Sequence, residues 1–176
     1  MASVIGDRPS HPICFRQLQG SMLTMAVVPF DREQVEARLA LNLIASSDMP
    51  QMACDALEAG LDGKAIRRLA VLEKPTYFEV AEILPRVMQE LEMRQIPTGE
   101  AALRVARQIA KDILSGGDDP LLHIRDFEFL WIRSGYPPEI CALGTMYDDV
   151  YVAQSTGSSD DEIRSRVKSL LQNFSE

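Results

Sequence analysis

The chain has 176 residues, 46% of them hydrophobic, and its formal net charge at pH 7 is −8. A chain of this length buries roughly 70% of its unfolded surface, so one domain can fold without disulfides or a structural metal. The excess negative charge argues against a nucleic-acid-binding protein, and no apolar segment approaches the roughly 20 residues of a membrane span.

Residues 1–28 show no sustained helix or strand periodicity, and they contain Gly6, Pro9, Pro12 and Gly20. We predict that they form a poorly specified N-terminal extension. Residues 29–176 carry regular helix signals and are predicted to form a single helical domain.

The first three predicted helices are defined by the residues at their ends. Asp31 is a predicted N-cap, because its carboxylate can accept a hydrogen bond from a free backbone N–H of the first turn. A second helix is predicted to begin at Ser47 or Asp48 and to end at Gly60, and Asp62 is predicted to cap a third.

The fourth predicted helix opens with a capping box, Thr76-x-x-Glu79. In this motif the hydroxyl and the carboxylate each accept a hydrogen bond from a free backbone N–H. Pro85 lies within the apolar pattern that follows and lacks a backbone N–H, so we predict a kink or break near Leu84. Thr98 is the predicted cap of the fifth helix.

Residues 121–131 read LLHIRDFEFLW and lie between Asp119-Pro120 and Gly135, which are typical of the two ends of a helix. Apolar side chains point in nearly every direction around this helix. Such a pattern is typical of a helix that is buried on most sides. Residues 121–134 are therefore predicted to form the central helix of the domain.

The last predicted elements follow Pro137-Pro138. Thr145 is predicted to cap a short helix in the segment GTMYDDVYVA, and a second capping box, Ser159-x-x-Glu162, opens the final helix. No segment alternates with a period of two, so no significant sheet is predicted. The predicted fold is all-α: a compact bundle of seven to nine short helices, or alternatively helix pairs stacked in a right-handed array.

Three side chains in the predicted central helix are candidates for chemistry. His123 and Asp126 are three residues apart on one face, a spacing at which an acid–base pair or two metal ligands can form. Glu128 falls among apolar residues, where a carboxylate needs a partner such as Arg125 or a raised pKa. A helical enzyme or metal-binding protein using these three residues is one hypothesis. The alternative is that His123, Asp126 and Arg133 form a polar stripe with a structural role only. Because zinc needs three or four ligands, neither a metal nor a cofactor is predicted.

Negative charge is concentrated between Asp112 and Glu162, where 11 acidic residues accompany two basic ones. Tyrosines beside carboxylates are typical of protein interfaces, and the charge attracts a basic partner. We therefore predict a non-enzymatic interaction module, with an immunity or antitoxin-like protein as one version. The alternative is that the tyrosines are half-buried and the aspartates merely solvated. The predicted binding residues are Asp118, Asp119, Tyr147, Asp148, Asp149 and Tyr151.

The chain contains three cysteines, Cys14, Cys54 and Cys141, which are odd in number and widely spaced. No CxxC pair is present, so these residues are predicted to be reduced thiols rather than disulfides or metal ligands. Together with the lack of a signal-like segment, this predicts a cytoplasmic protein.

The segment LEAGLDGKAIRRLAVLEKPTYFEVAEILPRVMQEL resembles a pattern found in small uncharacterised bacterial proteins. In that pattern a helix of the form DG…LRxLAGL precedes a helix of the form FEVxxLxPxxLxELG. Val71 and Glu92 stand where the pattern has glycine. The similarity extends over about two thirds of the chain if it continues through residues 106–121 and the later acidic stretch, and it implies a compact helical fold without assigning any functional residue.

Overall fold

The computed structural model describes residues 30–116 and 119–175, and within these ranges every regular element is helical. The predicted all-α fold is thus confirmed, whereas the predicted extension at residues 1–28 lies outside the described ranges. The α-helices are α1 (Arg32–Ala40), α2 (Met49–Glu58), α3 (Lys64–Ala70), α4 (Tyr77–Glu90), α5 (Thr98–Gly116), α6 (Ile124–Arg133), α7 (Cys141–Gly144), α8 (Met146–Ser155) and α9 (Asp160–Ser175). Across the described part of the chain, no helix is both long enough and apolar enough to cross a membrane.

Both predicted capping boxes form. The backbone N–H of Thr76 donates to the Glu79 carboxylate at 2.8 Å, and the N–H of Glu79 donates to the Thr76 hydroxyl at 3.3 Å. The same reciprocal pair links Ser159 and Glu162 at 3.0 and 3.3 Å. Because each box satisfies two backbone donors, the starts of α4 and α9 follow from the local sequence.

Helix α4 passes through Pro85 without a break and ends at Glu90. The missing N–H of Pro85 leaves the carbonyl of Ala81 without its intrahelical partner. Both residues are exposed, so water can bond to this carbonyl. Of the two predicted outcomes near Leu84, a kink or a break, the break is therefore wrong, because the proline lies on the outer side of a continuous helix.

Helix α3 is capped by a residue from another helix. The Glu90 carboxylate at the end of α4 accepts hydrogen bonds from the backbone N–H groups of Ala65 and Ile66, at 2.9 and 3.0 Å. The N-cap position is Gly63 rather than the predicted Asp62. A side chain at Gly63 would collide with Glu90, since an added Cβ would lie 3.1 Å from Glu90 Cβ and nearer still to the carboxylate.

The buried apolar side chains form two clusters. The N-terminal core is built from α2, α3, α4 and the residues just after α4, and the C-terminal core from α5 to α9. Helix α1 lies between them: Ala37 and Leu41 belong to the C-terminal core, whereas Val35 and Leu39 pack against the N-terminal core. Opposite faces of one helix thus join the two clusters.

The central helix of the C-terminal core is α5, not α6. Helix α5 contacts α1, α6 and α9, and it buries mainly small side chains, which let neighbouring helices approach closely. Its buried residues are Ala101, Ala102, Val105, Ala106, Ala110 and Ile113.

Helix α6 is buried on one face only. Ile124, Phe127 and Leu130 face the C-terminal core, whereas Leu122 just before the helix is 76% exposed and Phe129 is 49% exposed. The prediction that residues 121–134 are buried on most sides is therefore wrong. Apolar side chains on the outer face made the helix look central, although no described element covers that face.

Among the described residues, the buried carboxylate is Glu36 in α1, which is 4% exposed. It accepts hydrogen bonds from the Arg104 guanidinium at 3.1 Å and from the backbone N–H of Arg94 at 2.9 Å. Arg104 also donates to Glu100 on its own helix at 2.6 Å. The predicted buried carboxylate, Glu128, is only half-buried. The ion pair between Glu36 and Arg104 fixes α1 against α5.

Candidate functional site

Helix α8 turns one face inward and leaves the other open to solvent. Met146, Val150 and Ala153 are buried in the C-terminal core at the spacing i, i+4 and i+7. The opposite side of the helix therefore points outward. It carries two acidic and two apolar side chains, which we call the α8 surface: Asp148, Asp149, Tyr151 and Val152.

All four residues of the α8 surface are exposed, Tyr151 by 64% and Val152 by 57%. Neither Asp148 nor Asp149 forms an ion pair with any residue in the described ranges. Both aspartates lie in the first turn of α8, where the helix dipole favours negative charge. Within the described part of the chain, the surface thus presents two carboxylates without an ion-pair partner beside two exposed apolar side chains.

Tyr147 is half-buried and belongs to the packing between α6 and α8 rather than to the α8 surface. Its hydroxyl accepts a hydrogen bond from Arg125 Nη2 at 3.1 Å, and the guanidinium carbon lies 5.1 Å from the ring centre. Of the two tyrosines predicted to bind a partner, only Tyr151 is therefore open to solvent. The alternative prediction, in which the tyrosines are half-buried, agrees with the position of Tyr147.

Asp119 is engaged by an arginine. Arg164 Nε and Nη2 donate to its carboxylate at 3.0 to 3.1 Å, and the backbone N–H of Leu121 donates at 3.1 Å. The hydrogen bonds from Arg164, followed by the one from Leu121, lower the pKa of Asp119 below its usual 3.8. Asp119 therefore adds no free charge to the α8 surface, and the other predicted residue of this pair, Asp118, lies outside the described residues.

The candidate catalytic residues are brought together only in part. His123 Nδ1 lies 3.0 Å from Asp126 Oδ2, as their spacing predicts. Glu128 is half-buried on α6, and the guanidinium of Arg133 lies over the ring of Phe129. Among residues 30–116 and 119–175, no three His, Cys, Asp or Glu side chains are arranged to hold a metal ion. The contact between His123 and Asp126 joins two side chains, which is fewer than the three or four ligands that zinc requires.

A cleft of about 290 Å³ lies between α8 and α9, and we call it the α8/α9 cleft. Its walls are mostly apolar, and the charged residues that line it are Asp149 on α8 and Arg166 on α9. A neighbouring, more polar cavity shares Asp149, Ala153 and Arg166 with it and also includes Thr156 and Ser158. The apolar walls are formed by Met146, Val150, Ala153, Ile163, Val167 and Leu170.

The sequence did not reveal this cleft, because it depends on how α8 and α9 pack. Ile163 and Val167 are four residues apart in the sequence, the spacing of one helix face, and both are buried. Periodicity shows which face of a helix is apolar, but it does not show where two apolar faces fail to close on each other. The short link between Thr156 and Ser159 was the only available signal that the two helices are neighbours.

The geometry at α8 therefore combines free carboxylates, exposed apolar side chains and an adjoining apolar cleft, a combination that suits recognition of another molecule. No reacting group in the described ranges is placed beside an activating base at this surface. Comparison with protein-family models, with curated proteins and with solved structures finds no match to this chain. The site itself is therefore the basis for any statement about function.

Proposed function

We propose that the protein is a non-enzymatic interaction module whose α8 surface binds a basic segment of another protein. The observation that carries this proposal is that Asp148 and Asp149 are exposed and form no ion pair with any described residue, next to exposed Tyr151 and Val152. Interfaces combine an apolar centre, often with tyrosine, and a polar rim, which matches this set of residues.

The two kinds of side chain contribute to binding in different ways. Carboxylates at the edge of an interface attract a cationic partner from solution and accelerate association at low salt. Their effect falls as salt rises, since the Debye length is about 8 Å at physiological ionic strength. Tyr151 and Val152 contribute buried apolar area once the partner is in contact, which slows dissociation.

An immunity or antitoxin-like role is one version of this function. In it, the acidic surface neutralises a basic protein, such as a nuclease, by charge complementarity. The net charge of −8 supports this version, and it argues against nucleic acid as the direct partner. We place the protein in the cytoplasm, a proposal supported by Cys54 and Cys141, which are free thiols in the structure.

Affinity capture with a matched control tests the proposal. The native protein and an Asp148→Lys/Asp149→Lys variant are immobilised and exposed to lysate of the source cells at low and high salt, with mass spectrometry of bound proteins. Asp55→Lys/Glu58→Lys is the control, because it makes the same charge change at two exposed positions of α2. We expect a basic protein that binds the native and control forms but not the α8 variant. Equal capture by all three forms would refute the proposal.

The contact between His123 and Asp126 favours a second candidate function, a helical enzyme or metal-binding protein that also uses Glu128. A carboxylate bonded to Nδ1 orients an imidazole, as in many histidines that transfer protons or bind metals. Titration of the protein with Zn²⁺ by calorimetry tests this candidate. Binding lost in His123→Ala but kept in Arg133→Ala would support it, and absence of heat would remove the metal-binding version.

A further inference from the structure

The α8/α9 cleft opens beside the α8 surface, and Asp149 belongs to both. Its wall residues Met146, Val150 and Val167 are only 3 to 6% exposed, so an apolar group that enters the cleft covers the small apolar area that solvent still reaches. A volume of about 290 Å³ corresponds to roughly ten water molecules, which is space for one or two large apolar side chains. The cleft therefore fits a side chain that reaches in from a partner bound to α8.

The mouth of the cleft carries opposite charges on its two sides. Asp149 lies on the α8 side and Arg166 on the α9 side, and in the described ranges these two residues do not form an ion pair with each other. A partner that spans the mouth can therefore place a base against Asp149 and an acid against Arg166. A partner helix that carries an apolar side chain between a basic flank and an acidic flank meets all three requirements, and such a helix is amphipathic.

We propose that the α8/α9 cleft receives a large apolar side chain from an amphipathic helix of the basic partner. The flank of this helix that faces α8 carries Lys or Arg, and the flank that faces Arg166 carries Asp or Glu. The inference rests on the proposed function and adds to it the chemistry of the partner segment. In this proposal the cleft selects partners that carry the apolar side chain, whereas Asp148 and Asp149 attract the basic partner over a longer distance.

A free small molecule is a weaker candidate for the cleft. Small-molecule sites usually enclose about 300 to 1,000 Å³ and surround most of the ligand. The α8/α9 cleft lies at the lower end of this range and is open along its mouth between α8 and α9. An open cleft suits a side chain whose remaining surface is covered by the rest of a partner protein.

Three synthetic helical peptides test the proposal by fluorescence anisotropy against the full chain. The first has Leu at positions i and i+4, Lys on one flank and Glu on the other. The second has Ala in place of Leu, and the third has the two charged flanks exchanged. We expect the first peptide to bind about tenfold more tightly than the Ala peptide, since one buried leucine changes binding by about this factor. We also expect it to bind more tightly than the peptide with exchanged flanks, which places like charges against Asp149 and Arg166.

Two variants locate the bound peptide. Ala153→Leu narrows the cleft from its α8 wall, and we expect it to remove the preference for the Leu peptide while weak, salt-sensitive binding remains. Should this variant fold poorly, backbone NMR of the native protein replaces it, with shifts expected at Val150, Val167 and Leu170. Equal binding of the Leu and Ala peptides to the native protein, or NMR shifts elsewhere, would overturn the inference.

The same peptides separate failure of the cleft from failure of the proposed function. If Asp148→Lys/Asp149→Lys weakens all three peptides but the leucines make no difference, the cleft proposal is wrong and the α8 surface still binds basic segments. If the charge reversal weakens none of them and Asp55→Lys/Glu58→Lys behaves identically, the proposed function is wrong, and equal binding of the Leu and Ala peptides in the same experiment shows that the cleft proposal is wrong as well.

Discussion

The side chain of Trp131 packs directly on the backbone of Gly144, where helix α7 meets α6. A Cβ atom added to Gly144 would lie 2.6 Å from Trp131 Cβ and closer still to the indole ring. Because Cβ of Trp131 is fixed to the backbone of α6, the tryptophan cannot move away without shifting its helix. Gly144 is therefore required for the contact between these two helices.

Replacement of Gly144 by alanine should destabilise the protein by about 1 to 3 kcal/mol, the usual cost of overpacking a core. Urea unfolding followed by circular dichroism and by fluorescence of Trp131 measures this change. Gly116→Ala is the control, because among the described residues no non-neighbouring side chain or backbone atom lies within 4 Å of a Cβ added there. Equal unfolding midpoints for the two variants would contradict the packing of α6 against α7.

Two phenylalanines of α6 test which face of that helix is buried. Phe127 is 1% exposed and Phe129 is 49% exposed. We expect Phe127→Ala to lower the free energy of unfolding by about 3 to 5 kcal/mol and Phe129→Ala by less than about 1 kcal/mol. Chemical denaturation of both variants measures the difference. Similar losses for the two would instead support a helix that is buried on all sides.

The ion pair between Glu36 and Arg104 should be more sensitive to loss of one partner than to loss of both. Arg104→Met leaves Glu36 buried with only the N–H of Arg94, which should cost about 3 to 5 kcal/mol. Glu36→Leu/Arg104→Met removes the uncompensated charge and should be markedly more stable than Arg104→Met alone. Arg107→Met, at an exposed position of the same helix, is the control for loss of an arginine.

The ion pair between Asp119 and Arg164 should make stability depend on pH. The pKa of Asp119 is lowered in the folded protein, so its contribution is complete above the ordinary value of 3.8 and is lost as pH falls through the lowered value. Native protein should therefore exceed Asp119→Asn in stability at neutral pH, and the difference should shrink in acid. Urea midpoints measured from pH 7 to pH 2 test this, and a gap independent of pH would contradict the pairing.

Local signals in the sequence predicted several helix ends, although Asp62 is not the N-cap of α3 and Thr145 makes no side-chain capping bond at the start of α8. The capping boxes at Thr76 and Ser159 form as predicted, and Gly135 ends α6 with a positive φ of 84°. These features depend on residues within one turn of each other, so a short stretch of sequence contains all the physical information needed.

Contacts between distant residues explain what the sequence did not predict. Asp119 finds its partner Arg164 45 residues later, and the cap of α3 comes from Glu90 in the next helix. Periodicity likewise could not show which apolar face of α6 has a neighbour. Of the predicted binding residues, the exposure of Asp148 and Asp149 is as expected, whereas the role of Tyr147 is set by Arg125 on α6.

Helix α1 has a mechanical consequence for the whole molecule. It contributes Ala37 and Leu41 to the C-terminal core and packs Val35 and Leu39 against the N-terminal core. Its Glu36 accepts hydrogen bonds from the backbone N–H of Arg94 and from the Arg104 guanidinium. Because α1 packs on both clusters, each cluster stabilises the other. A force or substitution that displaces α1 exposes apolar surface of both cores at once. The N-terminal and C-terminal cores are therefore expected to unfold together rather than one after the other.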